Sequence, residues 1–395
     1  MKKKVTYFSY DGILEPLGNS QVLNYMIALS NVYEITIFTF EKKSDLCNKS
    51  RLNYINSICD LNGIIWKKAT FKQGLFIRNL NPLIYIFFIF INLKTVSKLC
   101  HSRSFIPAFT SYLLSFVKND FKYIYDMRGY WIEEKVDVAK ISSNSLVYKF
   151  LSRLDQLIIS RSSHIVTLSD VSKKFIAEKN NYDLANITTI YTCTDLDKFT
   201  INKSSKNNEF CFGYVGTTIG WYMFDETLDF ISIALEKIPN SIFKIVTRDN
   251  KNELLKRIEM KKIDLKRVFI TSSDFESIQK EYDEIDISVF FIRQSFSKTA
   301  SMPTKFGEFL SSGIPCITNS RIGDMGDIIL KNASCGFVVE DFSSNEYNKI
   351  IDQLVSNTFS VDQTFCRNVA HKYFSLEKGS KMYNSIYNHL LNEKK

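Results

Sequence analysis

Residues 286–319 read as a strand, a polar loop, a short helix, a tight turn and a second strand, an order that leaves few folds open. DISVFFI at 286–292 is an apolar run with the character of a strand buried on both faces. In SKTASMPTKFGEFLSSGIPCITN at 297–319, Ser301 suits an N-cap. Pro303 suits the first helical turn, where its missing N–H has no intrahelical partner. Phe306, Phe309 and Leu310 follow at spacings of three and four, one apolar face with Glu308 off it. Gly313 suits a left-handed cap, Pro315 stops the helix, and 314–318 is a short apolar strand. In an open α/β sheet the loop between such a strand and helix lies at the carboxyl edge, where nucleotides and phosphates bind. The helix start offers free N–H groups and a positive dipole end, and Lys305 adds a charge. Glu308, one turn on, is placed to accept hydrogen bonds from ribose hydroxyls.

The same alternation runs through the chain. A strand at 4–9, a loop at 10–20, a helix from about 21 to 30 and a strand at 34–40 open a βαβ pattern and predict a parallel sheet. Further on, 105–117 reads as helix and 121–127 as strand. A long helix covers 144–163 and a strand 164–168; Ser169 caps a helix through 180, and 187–190 is a strand. Polar, aperiodic TINKSSKNN at 200–208 reads as a linker. The pattern then restarts, with strands at 209–215, 242–247, 268–271, 286–292, 314–318 and 337–339. The 395 residues suffice for two domains of ordinary size, and we expect two α/β domains.

Eight cysteines are scattered, with none paired as C-x-x-C, and several lie in apolar runs; this favours buried thiols in a reducing compartment over disulfides or zinc. MKKKVTYFSYDG has no apolar core or small-residue cleavage site and is not read as a signal peptide. Residues 1–200 carry 26 Lys+Arg against 17 Asp+Glu, and 201–395 carry 25 of each, so the whole +9 lies in the first half. That half therefore suits an anionic partner, such as a phospholipid surface or a lipid pyrophosphate. No nucleic-acid recognition motif accompanies the charge. LNPLIYIFFIFINL at 80–93 is the most apolar segment, too short to span a bilayer. It reads as a buried helix, its apolar character wrapping all round, or as an in-plane membrane helix below Lys67, Lys68, Lys72 and Arg78.

The 297–319 segment resembles the donor-binding motif of the retaining GT-B glycosyltransferases known as glycosyltransferase family 4, in the branch that reads S-x-P-T-K-x-x-E-[FY]-L-x-x-G-x-P. Ser301, Pro303, Thr304, Lys305, Glu308, Phe309, Leu310, Gly313 and Pro315 all match. Much of the family has a second glutamate eight residues before the one at Glu308; here that position is Ala300, which bears on sugar recognition. The opening loop resembles the branch's D-G-x-x-x-P-x-G-x-S-Q-V, through Asp11, Gly12, Pro16, Gly18, Ser20, Gln21 and Val22. His101, Arg103 and Ser104 match H-x-R-S. Asp126, Met127, Arg128, Gly129, Trp131 and Glu134 match D-M-R-G-x-W-x-x-E. Gly216, Thr217, Gly220, Trp221 and Tyr222 match G-[ST]-x-x-G-W-Y. Asp195 and Phe199 fit the family's boundary segment, and the tail resembles its terminal helices.

The resemblance implies the GT-B fold: two Rossmann-like, doubly wound parallel-sheet domains facing across a cleft. The expected acceptor-side domain is 1–200 and the nucleotide-sugar domain 209–375, with a helix at 376–395 crossing back to the first. It implies sugar transfer from a nucleotide diphosphate sugar to an acceptor hydroxyl with retention and with no metal or other cofactor. Lys305, Arg248 and His101 are the expected catalytic set. Glu308, Ser301, Thr304, Gly216, Thr217 and Gly18 are expected to hold the donor. Asp126, Arg128, Arg103 and Glu134 are expected to shape the acceptor side. Gly18 allows a backbone to approach a ligand; Arg128 suits a phosphate bidentately or simply pairs with Asp126 or Glu134. His101 is open between a catalytic histidine and a hydrogen-bonded one. The natural setting is bacterial surface-polysaccharide assembly on a lipid-linked or oligosaccharide acceptor, by a cytoplasmic enzyme peripheral to the inner membrane face. A non-catalytic nucleotide-sugar-binding or scaffold protein of the same fold is the alternative. A nicotinamide dehydrogenase is disfavoured, since no G-x-G-x-x-G follows either opening strand.

Overall fold

Alternating apolar runs and amphipathic helices build two parallel sheets in the computed structural model, which describes residues 2–74, 77–201, 209–274, 277–356 and 358–392. The chain divides into two compact units, Met1–Tyr191 with Leu376–Lys395, and Thr192–Ser375. The chain leaves the first unit ahead of the polar stretch read as a linker, whose residues 202–208 lie outside the described ones. Thr194 N–H donates to the Phe374 carbonyl at 2.7 Å and pairs with Ser375, so outgoing and returning segments run side by side.

The first unit's sheet has seven strands: β1 Lys3–Ser9, β2 Tyr33–Lys42, β3 Ile65–Phe71, β4 Leu99–Arg103, β5 Lys122–Asp126, β6 His164–Thr167 and β7 Ile187–Thr189. Their order is β3-β2-β1-β4-β5-β6-β7, parallel throughout. β3 and β4 carry no clean alternation and escape a reading of the sequence; His101 lies inside β4. The helix expected from about 21 starts earlier, at Pro16, whose ring suits a first turn. It passes through a π-turn, Asn19–Leu23, before Asn24–Ser30.

The second unit's sheet has six: β8 Phe210–Val215, β9 Ser241–Val246, β10 Val268–Thr271, β11 Ile287–Val289, β12 Cys316–Asn319 and β13 Gly336–Val339. The order β10-β9-β8-β11-β12-β13 is again parallel. Each sheet therefore reverses its winding once, between β1 and β4 in the first unit and between β8 and β11 in the second. Such switch points open a crevice at the carboxyl ends of the strands.

The central helix spans Thr304–Ser311, and its cap is Pro303, not Ser301. Ser301 instead ends a 3₁₀ turn, Phe296–Ala300, because the proline ring two residues later fixes the extended-to-helical corner at itself. Gly313 takes φ +74°, the left-handed cap that its residue type permits. The 80–93 segment forms the helix Asn81–Ile91, with Asn81, Tyr85 and Ile89 buried and the opposite face in solvent; it is core on one side only. Among the described residues no helix is long and apolar enough to cross a membrane.

Candidate active site

At the second unit's switch point the loop after β8 and the segment after β11 are tied together. Tyr222 bridges Ile292, Met223 N–H donates to Phe291 O at 2.9 Å, and Arg293 N–H to Trp221 O at 2.8 Å. Asn319, at the end of β12, brackets Ile292 through both N–H and C=O, at 2.8 and 3.0 Å. These bonds fix three loops around the start of the helix Thr304–Ser311, where no side chain caps the N-terminal N–H groups.

Lys305 projects into this frame. It is buried, and no group among the described residues accepts a hydrogen bond from its ammonium nitrogen. Aromatic faces surround it: Nζ lies 3.8 Å from the Tyr222 ring centre, 4.9 Å from Tyr214 and 5.4 Å from Phe290. Burial drives its pKa down to about 7, against a smaller opposing pull from Glu308 and Asp249. Gly216 meets it from below. Its φ is +114°, a backbone conformation that favours glycine, and a Cβ there would come within 3.0 Å of Lys305 Nζ.

Glu308 is half-buried one turn on and accepts a hydrogen bond from Tyr282 Oη at 3.0 Å. Burial raises its pKa, with Tyr282 and Lys305 opposing. Thr217 donates to Asp249 through its hydroxyl at 3.0 Å, and Thr218 does so through N–H and hydroxyl at 2.5 and 2.8 Å. These bonds outweigh the desolvation of Asp249 and lower its pKa, so the carboxylate pins the turn after β8. Thr304 begins the helix, and Ser301 stands half-buried just before it. Arg248 lies apart from this group: exposed, it bonds Asp274 at 2.6 Å and the Ser273 carbonyl, both past β10.

In the first unit, Arg103, Asp126 and Arg128 meet at the carboxyl ends of β4 and β5. Arg103 is buried, 3.7 Å from exposed Asp11, and its Nε and Nη1 have no hydrogen-bond partner among the described residues. Arg128 Nη1 lies 3.6 Å from Asp126 Oδ1, and its Nη2 reaches Gln21 at 3.4 Å. Desolvation alone would raise the Asp126 carboxyl; the Arg128 charge and the His101 hydrogen bond outweigh it and hold the pKa at about 2.

His101 is buried with both nitrogens engaged, Nδ1 with Tyr387 Oη at 2.6 Å and Nε2 with Asp126 Oδ2 at 3.2 Å. Burial lowers its pKa. Against an ionised, acceptor-only Asp126, neutral His101 must donate from Nε2 and accept the Tyr387 proton at Nδ1. Tyr383 also donates to Asp126 Oδ2, at 3.2 Å, so the helix Leu376–Asn392 closes over the histidine. His101 thus orients Asp126, and through it Arg128, with no face open to a substrate. Gly18 is buried at a helical φ of −65°; a Cβ would lie 1.9 Å from the Gly12 carbonyl oxygen, so the chain's own loop is what needs the space. Glu134 stands in the first turn of the helix Trp131–Asp137.

The sequence reading missed the aromatic cage, Tyr282, Asp249 and the Tyr383–Tyr387 pair. Tyr222 and Trp221 were in view as a motif, but their use as platforms for cations was not. Arg293 and buried Lys298 lie 4.7 and 3.8 Å over the Trp221 ring. Among the described residues no group of three or more His, Cys, Asp or Glu has metal-site geometry.

No protein-family model matches the sequence, and no curated protein does. Solved structures match along the whole chain. A glycosyltransferase from Rickettsia africae is 14% identical over 100% of both chains, with a TM-score of 0.71. HepE of Anabaena, solved with UDP, is 12% identical over 98% of this chain and 100% of its own, at 0.73. Sucrose-phosphate synthase from Thermosynechococcus elongatus is 12% identical over 99% of each chain, at 0.71. With the two sheets described above, these likenesses establish the GT-B fold, two Rossmann-like units.

Proposed function

We propose that the chain is a retaining glycosyltransferase that moves a sugar from a nucleotide diphosphate sugar to an acceptor hydroxyl. One observation carries this reading: Lys305, a buried cation with no hydrogen-bond partner among the described residues, at the start of an uncapped helix and at a sheet switch point. A diphosphate supplies the partner that the ammonium and the helix N–H groups require. Glu308, one turn on, accepts from the ribose hydroxyls. In the reaction the bond from the anomeric carbon to the phosphate oxygen breaks and one to the acceptor oxygen forms; the acceptor proton passes to the departing phosphate. Lys305 and the helix dipole stabilise the charge that develops there, a role in which no metal is called for.

Arg103 and Arg128, at the carboxyl edge of the other sheet, suit a phosphate on the acceptor, as in a lipid-linked saccharide of bacterial surface-polysaccharide assembly at the inner membrane face. One observation favours a second reading, a donor-binding protein without turnover. Ala300 is buried where the resembled family has a carboxylate. A panel of nucleotide sugars separates the two readings. An enzyme is stabilised to heat by its donor and releases many equivalents of nucleoside diphosphate when an acceptor is supplied; a binding protein is stabilised and releases none. Activity surviving EDTA supports the metal-free scheme, and magnesium-restorable loss contradicts it.

A further inference from the structure

The helix Asn81–Ile91 lies on the first unit's sheet with one face in the core, where Tyr85 packs edge-on against Tyr10 and tilted against Phe40. Its other face is apolar too. Leu80, Leu83, Phe87 and Ile91 are 50, 62, 66 and 64% exposed, at successive spacings of three, four and four, so they form one stripe along the helix. No residue of the helix is charged. A solvated surface helix places charge on that face, and an unbroken apolar stripe of this kind marks a contact with something apolar.

What covers the stripe is read from the charge around it. Between Asp60 and Asp120 the chain has no acidic residue, while the interval carries eight lysines and arginines. Several frame the helix. The Lys72 backbone exchanges two hydrogen bonds with the Asn81 side chain at 2.9 Å, which sets Lys72 beside the helix start. Lys67 Nζ donates to Asn92 at 2.9 Å, beside the helix end, and exposed Lys94 follows within the next turn. The Arg78 side chain lies outside the described residues. A second exposed apolar group, at Leu146, Val147 and Phe150, has an acidic neighbour instead, since Tyr148 between them bonds Glu133. Of these two patches among the described residues, the first joins an apolar stripe to a stretch of chain that carries basic residues and no acidic one, which is the pattern of an in-plane element on an anionic bilayer.

We propose that the outer stripe of Asn81–Ile91 inserts shallowly into an anionic lipid surface, with the flanking lysines at headgroup level. The sequence left this segment open between core and membrane; the two faces divide those roles. The proposal does not depend on sugar transfer, because the binding it predicts needs neither donor nor acceptor.

The test is co-sedimentation of the full chain with phosphatidylglycerol-containing vesicles, and with phosphatidylcholine vesicles alone, at low and high salt. The wild type binds the anionic vesicles and keeps a measurable fraction bound at high salt, because the apolar contact is not screened. The Leu83→Ser/Phe87→Ser double variant, with an unchanged circular dichroism spectrum, loses on the order of tenfold or more in partitioning. Lys67→Gln/Lys94→Gln loses binding mainly at low salt. No binding to anionic vesicles overturns the proposal, as does a double variant that binds like the wild type. A wild type that ignores vesicles but dimerises through the stripe, by light scattering, overturns it in favour of a second copy.

Discussion

Lys305 Nζ lies 3.8 Å from the centre of the Tyr222 ring, so its charge rests on an aromatic face and not against a carboxylate. An ammonium held this way is poorly solvated and ready for an anion. Replacing it with methionine removes the charge and keeps the packing. The expected result is a fall in kcat of about 10²–10³-fold, because the charge acts mainly as the diphosphate departs. Steady-state kinetics at saturating donor checks this, and near-normal turnover would shift the role to another cation.

The same substitution should stabilise the protein, and the sign follows from the titration. Lys305 has a folded pKa of about 7 against an ordinary 10.5. Between these values the unfolded chain binds the proton and the folded chain does not, so stability rises with pH through that window and the full penalty applies below it. Lys305→Met should therefore gain roughly 1–3 kcal/mol at pH 6 and little at pH 10.5. Urea unfolding at both pH values measures it; an equal gain at both would show that desolvation of the charge is not the cause.

Donor binding should take up a proton. A diphosphate beside Lys305 restores its pKa, so at pH 8 the free site is mostly neutral and the occupied one charged. Affinity should fall as pH rises above 7. Calorimetry at pH 8 in two buffers of different ionisation enthalpy should show uptake approaching one proton per site. Identical heats in the two buffers would mean that the diphosphate does not meet Lys305.

Glu308→Gln should weaken donor binding by about 1.5–3 kcal/mol, the contribution of a charged hydrogen bond, while the fold holds because Tyr282 retains an acceptor. Calorimetry of a folded variant with unchanged affinity would remove Glu308 from the ribose.

His101 acts through its neighbours, so His101→Gln, which keeps a donor for Asp126, should lower kcat/KM by less than about tenfold and leave the limbs of the pH–rate profile in place. Loss of a limb, with a fall of a thousandfold, would make His101 a proton-transfer group.

Local chemistry made much of this legible in the sequence. Gly313 and Pro315 fixed the end of the central helix, and the apolar runs at 209–215 and 286–292 located the two strands that flank the switch point, observed at Phe210–Val215 and Ile287–Val289. Lys305 and Glu308 were recognisable because helix spacing puts both within the first turns. What stayed hidden depends on residues distant in sequence. Tyr214, Tyr222 and Phe290 become a cage only when β8 and β11 lie side by side. Tyr387 reaches His101 across 286 positions. The Ser301 cap failed for a local reason, the stronger demand of Pro303 on its own backbone. Gly18 shows that a glycine in a loop serves its own chain as readily as a ligand.

The most direct test of the central claim is nucleoside diphosphate release from the panel donor that most stabilises the protein, with a bacterial lipid extract as acceptor source, for wild type beside Lys305→Met. The account predicts many turnovers for the wild type and a loss of at least about 10²-fold in the variant at saturating donor. Donor binding without release beyond one equivalent, or equal release by both proteins, would contradict it.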